Sequence, residues 1–314
     1  MKDIWDKTLI ASNFNVLKMQ TSKLEYEGPI YRPPSEANSL LVQATIGCPH
    51  NQCTFCMVYK NEPEFRIRPV EEIKKDLLLA KQEGSKFIRT IFFPAGNTIF
   101  MNTDDLADVL GYTKKLFPNV ERITVCGSAQ YIVKKGLVDM KRLAEAGLTR
   151  IHIGLESGDD ITLRRVRKGS TAEIQVKAGR LVKEAGIELS EYVILGLGGR
   201  ERSKEHIVAT IDVLNKINPD FIRLRTFLPK INTPILEDIG KGKFLVLSPH
   251  EVIQESYDLI AGLDVTSLIV SDHYTNYLRV EGRLPEERRR ILHKINKAQK
   301  QDEGSFRGIF IGTV

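Results

Sequence analysis

The chain has 314 residues, 42% of them hydrophobic and 27% charged, which is the mix of an ordinary globular protein rather than of a disordered or fibrous one. No apolar run approaches the roughly 18 residues of a membrane span, and the opening MKDIWDKTLIASNFNVLK lacks the unbroken apolar stretch of a secretory leader. A net charge of +6 permits binding to a polyanion without requiring it, so a cytoplasmic enzyme or binding protein with no membrane partner is expected.

Residues 1–37 read as an N-terminal extension. It includes YRPPSEA, where two prolines favour extended chain. A strand–helix rhythm starts after it. SLLVQATIG (39–47) reads as a strand and VEEIKKDLLLAKQEG (70–84) as a helix with apolar residues at helical spacing. KFIRTIFF (86–93) is the next strand, and TDDLADVLGYTKKLF (103–117) the next helix, with Thr103 as its N-cap. RITVCG (122–127) and LVDMKRLAEAG (137–147) follow, then RIHIGLE (150–156) and AEIQVKAGRLVKEAG (172–186). ELSEYVILGLGG (188–199), KEHIVATIDVLNKI (204–217) and DFIRLRTFL (220–228) complete six strands.

Such alternation implies an α/β fold with parallel pairing and right-handed crossovers. Both an open doubly wound sheet and a barrel-like arc satisfy it. In either, the loops after the strands gather at the carboxyl end, where ligands bind. Residues 38–235 hold this core. Residues 236–314 read as a cap, with helices near 249–263 and 285–300 and a final strand in the last ten residues. Seven positive charges against Glu286 and Glu287 lie between residues 283 and 300. They suit a solvated helix face or an RNA contact.

The stretch GCPHNQCTFCMVYK (47–60) carries three of the four cysteines, Cys48, Cys53 and Cys56, spaced Cys-x4-Cys-x2-Cys. Structural disulfides are not expected of four cysteines in a reducing compartment. Three thiols suit an iron–sulfur cluster that keeps one iron free of protein ligands. A zinc site that adds His50, or a Cys53–Cys56 dithiol, are the alternatives. Cys126 stands alone in the third strand and reads as packing, with a hydrogen-atom donor role as the lesser alternative.

These residues resemble the radical S-adenosylmethionine (SAM) superfamily, in which a three-cysteine loop follows the first strand of a partial barrel. Phe55 stands where an aromatic commonly precedes the last cysteine, although the usual spacing is x3 then x2. GLESGDDITLRRVRKG (154–169) is similar to a block of the branch that includes methylthiotransferase and coproporphyrinogen-oxidase relatives. The resemblance implies a partial (βα)6 TIM-like barrel, a [4Fe–4S] cluster on Cys48, Cys53 and Cys56, SAM, and a flavodoxin or ferredoxin as electron donor.

It further implies that Ala95, Gly96 and Asn97 meet the SAM amino group. Glu156 and Ser157 meet its ribose or amino group, and Arg165 or Arg167 its carboxylate. Ile194, Gly196, Phe227 and Leu228 lie along the adenine. For substrate the candidates are Gln43, Thr45, Ser128, Gln130, Arg223 and Arg225, joined by His273, Tyr274, Asn276 and Tyr277 if the polar tail folds over the mouth. A small-molecule substrate is expected. A tRNA-modifying enzyme and a non-catalytic zinc-dependent RNA-binding protein are the alternatives.

Overall fold

The computed structural model describes residues 24–60, 63–84 and 87–308. The first expected strand is broken in two. Leu40–Leu41 (β1) pairs in parallel with Thr90–Phe93 (β4), setting Leu40 against Ile91. Thr45–Ile46 (β2) leaves that sheet and pairs antiparallel with Arg66–Ile67 (β3). The β2–β3 pair closes the base of the cysteine loop.

Helix Val70–Gly84 (α1) follows, burying Ile73, Leu77 and Ala80 on one stripe. Thr103–Leu116 (α2) is capped by Asn102, whose side chain accepts from Asp104 N, and not by Thr103. Thr103 is the first helical residue and turns its hydroxyl to Asp139. After Arg122–Gly127 (β5), helix Ala129–Ala146 (α3) starts earlier than its apolar period suggests. It is kinked at Gly136, whose φ of 73° interrupts the stripe.

Arg150–Glu156 (β6), Asp160–Arg165 (α4), Ala172–Glu184 (α5), Glu188–Leu195 (β7), Ser203–Ile217 (α6) and Phe221–Thr226 (β8) continue the rhythm. Two helices, Ile235–Gly240 (α7) and Pro249–Gly262 (α8), come next. Leu268–Val270 (β9) then adds a parallel strand beside β8, and Glu281–Arg283 (β10) pairs antiparallel with β9. Arg288–Gln299 (α9) completes the regular elements. Residues 306–308 form no strand, and the rest of that expected strand, 309–314, lies outside the described residues, as does the opening segment 1–23.

The main sheet runs β1-β4-β5-β6-β7-β8-β9-β10 and never doubles back. A doubly wound sheet reverses at a switch point and carries helices on both faces. Here Ile91, Phe93, Val125, Ile153, Leu189 and Val193 share one core with the helix residues Ile73, Leu106, Leu143, Val182 and Leu214. The helices therefore cover one face, and the sheet is an arc. Its edges β1 and β10 do not pair, so the barrel is partial. Alternate residues of the strands, Phe92, Cys126, His152, Tyr192, Arg223 and Arg225 among them, face the lumen. No helix among the described residues is long and apolar enough to cross a membrane.

The turn Pro34–Glu36 of the N-terminal extension plugs the amino end of this lumen. Glu36 follows Pro33 and Pro34 in a short 3-10 turn and is fully buried. Its Oε2 accepts from Ser39 Oγ at 2.6 Å and Arg122 at 3.1 Å, and its Oε1 meets His152 Nε2 at 3.1 Å. Burial alone would raise its pKa. The hydrogen bonds from His152 and Ser39, helped by the Arg122 charge, outweigh it and hold the carboxyl down at about 2.

Candidate active site

The cysteine loop leaves β2 at Gly47, whose φ of 70° and close approach to the Pro63 carbonyl exclude a side chain. Its other end is tied to neighbouring loops. Thr54 N donates to Val166 O at 2.9 Å, beyond β6, and Ile235 N, at the start of α7, donates to Thr54 O at 3.1 Å. His50 Nε2 lies 2.7 Å from Arg167 O, so that ring is turned toward the β6 loop. Inside the loop Asn51 adopts φ 41°, with Asn51 N 3.5 Å from Cys48 Sγ and its side chain donating to Tyr59 O.

Cys48, Cys53 and Cys56 are free thiols, each partly exposed. Burial raises the Cys53 pKa to about 11 and raises that of Cys56; Cys48 adds to both, and Lys168 partly offsets both. The three thus stand close enough to feel one another and one lysine. Among the described residues no group of three or more His, Cys, Asp and Glu side chains converges on a single metal ion. Three thiols on one clasped loop, with His50 bonded elsewhere, suit a polynuclear cluster in which each thiolate takes a different iron. The Lys168 ammonium beside them offsets the negative charge that such a thiolate set carries.

The loop after β4 presses on this site. Gly96 N donates to Gly47 O at 3.1 Å, and a β-carbon at Gly96 would lie 2.6 Å from that oxygen and 2.7 Å from Cys48 Cβ. Ala95 holds φ 88°, a left-handed conformation that costs a residue with a β-carbon roughly 1–2 kcal/mol. Asn97 is fully buried and spent on structure: its amide donates to Ser128 Oγ at 2.6 Å and its carbonyl oxygen accepts from Ser128 N at 3.0 Å. Ser128 is thereby engaged as well.

β6 ends in a bulge between Gly154 and Glu156, and Glu156 takes φ 64°. This turns its carboxylate over Gly154, where Lys168 Nζ donates to Glu156 Oε1 at 3.0 Å. Burial alone would lower the lysine's pKa. Glu156 and then Cys53 more than offset it, so Lys168 stays cationic. Ser157 points away into a buried set, with Oγ 2.8 Å from His206 Nδ1 and accepting from Asp159 N at 3.0 Å. Arg165 turns onto the Phe244 ring, 4.8 Å from its centroid, and bonds the Lys243 carbonyl, while Arg167 is exposed. The cation that reaches both Cys53 and Cys56 is neither arginine but Lys168, the residue after Arg167.

An apolar pad adjoins the loop. Val166, Leu197, Phe227, Ile235 and Phe244 form a cluster of their own, with Phe55 and Ile194 packed against it. Gly196, at φ 81°, donates its N–H to Glu255 Oε2 at 2.6 Å, and Leu228 is buried beside Phe227. Burial pushes Glu255 up to about 7, against hydrogen bonds from Ser203 and Gly196. Phe55 and Ile194 thus pack on the cluster that holds Phe227. On β7, Glu191 is fully buried with neither carboxylate oxygen bonded; burial raises its pKa well above the ordinary range, so it is held protonated.

The substrate candidates divide. Gln43 is closed by two hydrogen bonds to the Glu27 backbone and anchors the N-terminal segment. Asn276 bonds Thr226 Oγ1 and Leu224 O, pinning the 271–278 segment to the end of β8, and His273 Nδ1 lies 2.8 Å from Thr275 Oγ1. Tyr274 is mostly exposed and takes a bond from Lys230; Tyr277 packs toward Phe306. Thr45 Oγ1 and Gln130 Oε1 are buried without partners. Arg223, Arg225 and Cys126 face the lumen. Burial pushes the Cys126 thiol up to about 12, which keeps it neutral. A cleft of 580 Å³ lies between α5 and α6 on the outer layer, lined by Val176, Arg180 and Lys216. None of the thiols lines it.

A family model described as the radical SAM superfamily matches residues 42–214. Among curated proteins, the chain is 24% identical over 256 residues to a tRNA-2-methylthio-N(6)-dimethylallyladenosine synthase of Marinomonas sp. (strain MWYL1), a match covering 77% of this chain and 56% of that protein. It is 23% identical over 272 residues to an uncharacterized protein of Methanocaldococcus jannaschii, covering 83% of each. The chain spans about half the length of the synthases it matches, 56% for Marinomonas and 44% for Thermodesulfovibrio yellowstonii. Among solved structures, methylornithine synthase aligns with a TM-score of 0.52 at 16% identity, covering 97% of this chain and 92% of that one. Coproporphyrinogen III oxidase from Escherichia coli gives 0.53 at 15%, covering 71% and 52%. At these identities the likeness is one of fold.

Proposed function

The chain belongs to the radical SAM superfamily, and from that premise we propose an enzyme that cleaves SAM reductively and abstracts hydrogen from a small-molecule substrate held in the lumen. The observation that carries this reading is the gathering of three free thiols, Lys168 and Glu156 at the carboxyl end of the arc. When bound, a [4Fe–4S] cluster and SAM supply an electron and a 5′-deoxyadenosyl radical. Cys48, Cys53 and Cys56 hold the cluster, giving up their protons as it loads. Gly96 lets the β4 loop lie against Cys48, so that backbone groups of residues 95–97 border the SAM amino acid. Glu156, held by Lys168, offers its second oxygen to a hydroxyl or ammonium. Phe55, Ile194 and Phe227 supply an apolar wall for adenine. The arc and the 271–278 segment exclude water from the reacting groups.

Of the expected divisions 1–37, 38–235 and 236–314, the described part of the first serves as a plug, the second as the barrel, and the described part of the third as a cap that contributes β9 and β10 to the shared sheet. A reducing cytoplasm and a flavodoxin- or ferredoxin-like donor match the needs of such a cluster. The named relatives give a second reading, a tRNA-borne substrate, and the exposed Arg289, Lys294 and Lys297 side chains of α9 are cations available to it. The test is electron paramagnetic resonance (EPR) of the anaerobically reconstituted, reduced protein. A [4Fe–4S] signal that shifts when SAM is added is expected. Each of Cys48→Ala, Cys53→Ala and Cys56→Ala should abolish the signal. A protein that binds zinc instead, or a signal blind to SAM, contradicts the proposal.

A further inference from the structure

The lumen carries positive charge that the protein itself leaves unanswered. β8 directs Arg223 and Arg225 inward, two residues apart on one face. Arg223 is buried and gives its Nε to a neutral partner, Ser190 Oγ, at 3.0 Å. Arg225 stacks its guanidinium on the Tyr192 ring, 4.7 Å from the centroid, and makes no hydrogen bond or ion pair with any described residue; its Nε is fully buried. Tyr192 Oη, beside it, is also buried without a partner. The carboxylate on this side of the sheet, Glu36, has both oxygens taken by Arg122, His152, Ser39 and Thr124. Above the strand end, burial and the charges of Arg225 and Lys230 lower His273 to about 4, so that ring is neutral.

Arg225 is partly exposed, with its Nε buried; a guanidinium held there without a counter-anion bears part of the cost of a buried charge, and an anion that arrives with a ligand offsets it. A guanidinium fork fits a carboxylate or a phosphate. A phosphate dianion calls for several cations, whereas one free fork and one hydroxyl match the two oxygens of a carboxylate. We propose that Arg225, stacked on Tyr192, anchors a carboxylate of the substrate in the lumen between Cys126 and His273. This rests on the reading of the site as a SAM-cleaving centre and names its substrate class.

The test is anaerobic titration calorimetry of the reconstituted protein with SAM, using glutarate, its diamide glutaramide, and inorganic phosphate as probes. Glutarate should bind and glutaramide should not. Arg225→Gln should weaken glutarate at least about tenfold, with Arg225→Lys intermediate, because an ammonium keeps the charge without the fork. Lys75→Gln, on the exposed face of α1, should bind as the wild type does. The melting temperature of Arg225→Gln should stay close to that of the wild type, since the stack on Tyr192 is lost but no hydrogen bond or ion pair is. Equal glutarate binding by Arg225→Gln, no glutarate binding by the wild type, or a preference for phosphate would each overturn the assignment. Failure of the catalytic reading looks different: the EPR signal ignores SAM while the glutarate pattern persists.

Discussion

Glu36 shows how much one residue can decide. Its ordinary pKa of 4.5 falls to about 2 in the folded protein, a difference worth roughly 3 kcal/mol. Because the folded value is the lower one, that stability is present above pH ~4.5 and is lost as pH falls toward ~2. Glu36→Gln should therefore destabilise by about 2–4 kcal/mol at pH 7, and the gap to wild type should close in urea titrations repeated down to pH 3. A pH-independent difference would mean that the hydrogen bonds and not the charge matter. Nothing in YRPPSEA announces this role, since a lone glutamate after two prolines has no period and its partners Arg122 and His152 lie 86 and 116 residues away. Lys168 was hidden for the opposite reason, crowded among Arg164, Arg165 and Arg167. The end of α4 at Arg165 and the left-handed turn at Arg167, φ 53°, decide which cation faces inward. The cysteines were legible because their spacing is local and needs no tertiary information.

At the scale of elements, the strands and helices of the arc were readable from β-branched runs and helical stripes, and the order of strands follows the sequence. Three features were not. The first strand divides at residues 42–44 because β2 must leave the sheet to meet β3 and close the cysteine loop. β9 and β10 are three residues each, too short to show alternation. The bulge at Gly154–Glu156 inverts the expected phase at the end of β6 and brings Glu156 to Lys168. The loop after β4 makes a direct test of how elements assemble the site. Gly96→Ala would push a methyl against Gly47 O and the Cys48 side chain. Since the change lies in a loop outside the helix-packed core, the variant should fold with a far-ultraviolet circular dichroism spectrum like the wild type's. It should hold less than half the wild-type iron after reconstitution, on the order of a 1–3 kcal/mol overpacking cost. Full iron loading would mean that the loop yields, and that the contact is not needed to shape the thiols.

For the whole molecule, sequential strand order, helices on one face and an N-terminal plug produce a lumen open at one end. The thiols, Lys168 and Glu156 stand at that end, and Cys126, Tyr192 and Arg225 line the interior. On the proposed function, this arrangement lets a radical formed at the mouth meet a substrate shielded from water. The most direct measurement is liquid chromatography of the products formed when the reduced, cluster-loaded protein is given SAM. Release of 5′-deoxyadenosine and methionine, abolished by Cys53→Ala, is the expected result. Intact SAM after incubation with protein that holds a full, reduced cluster would contradict it.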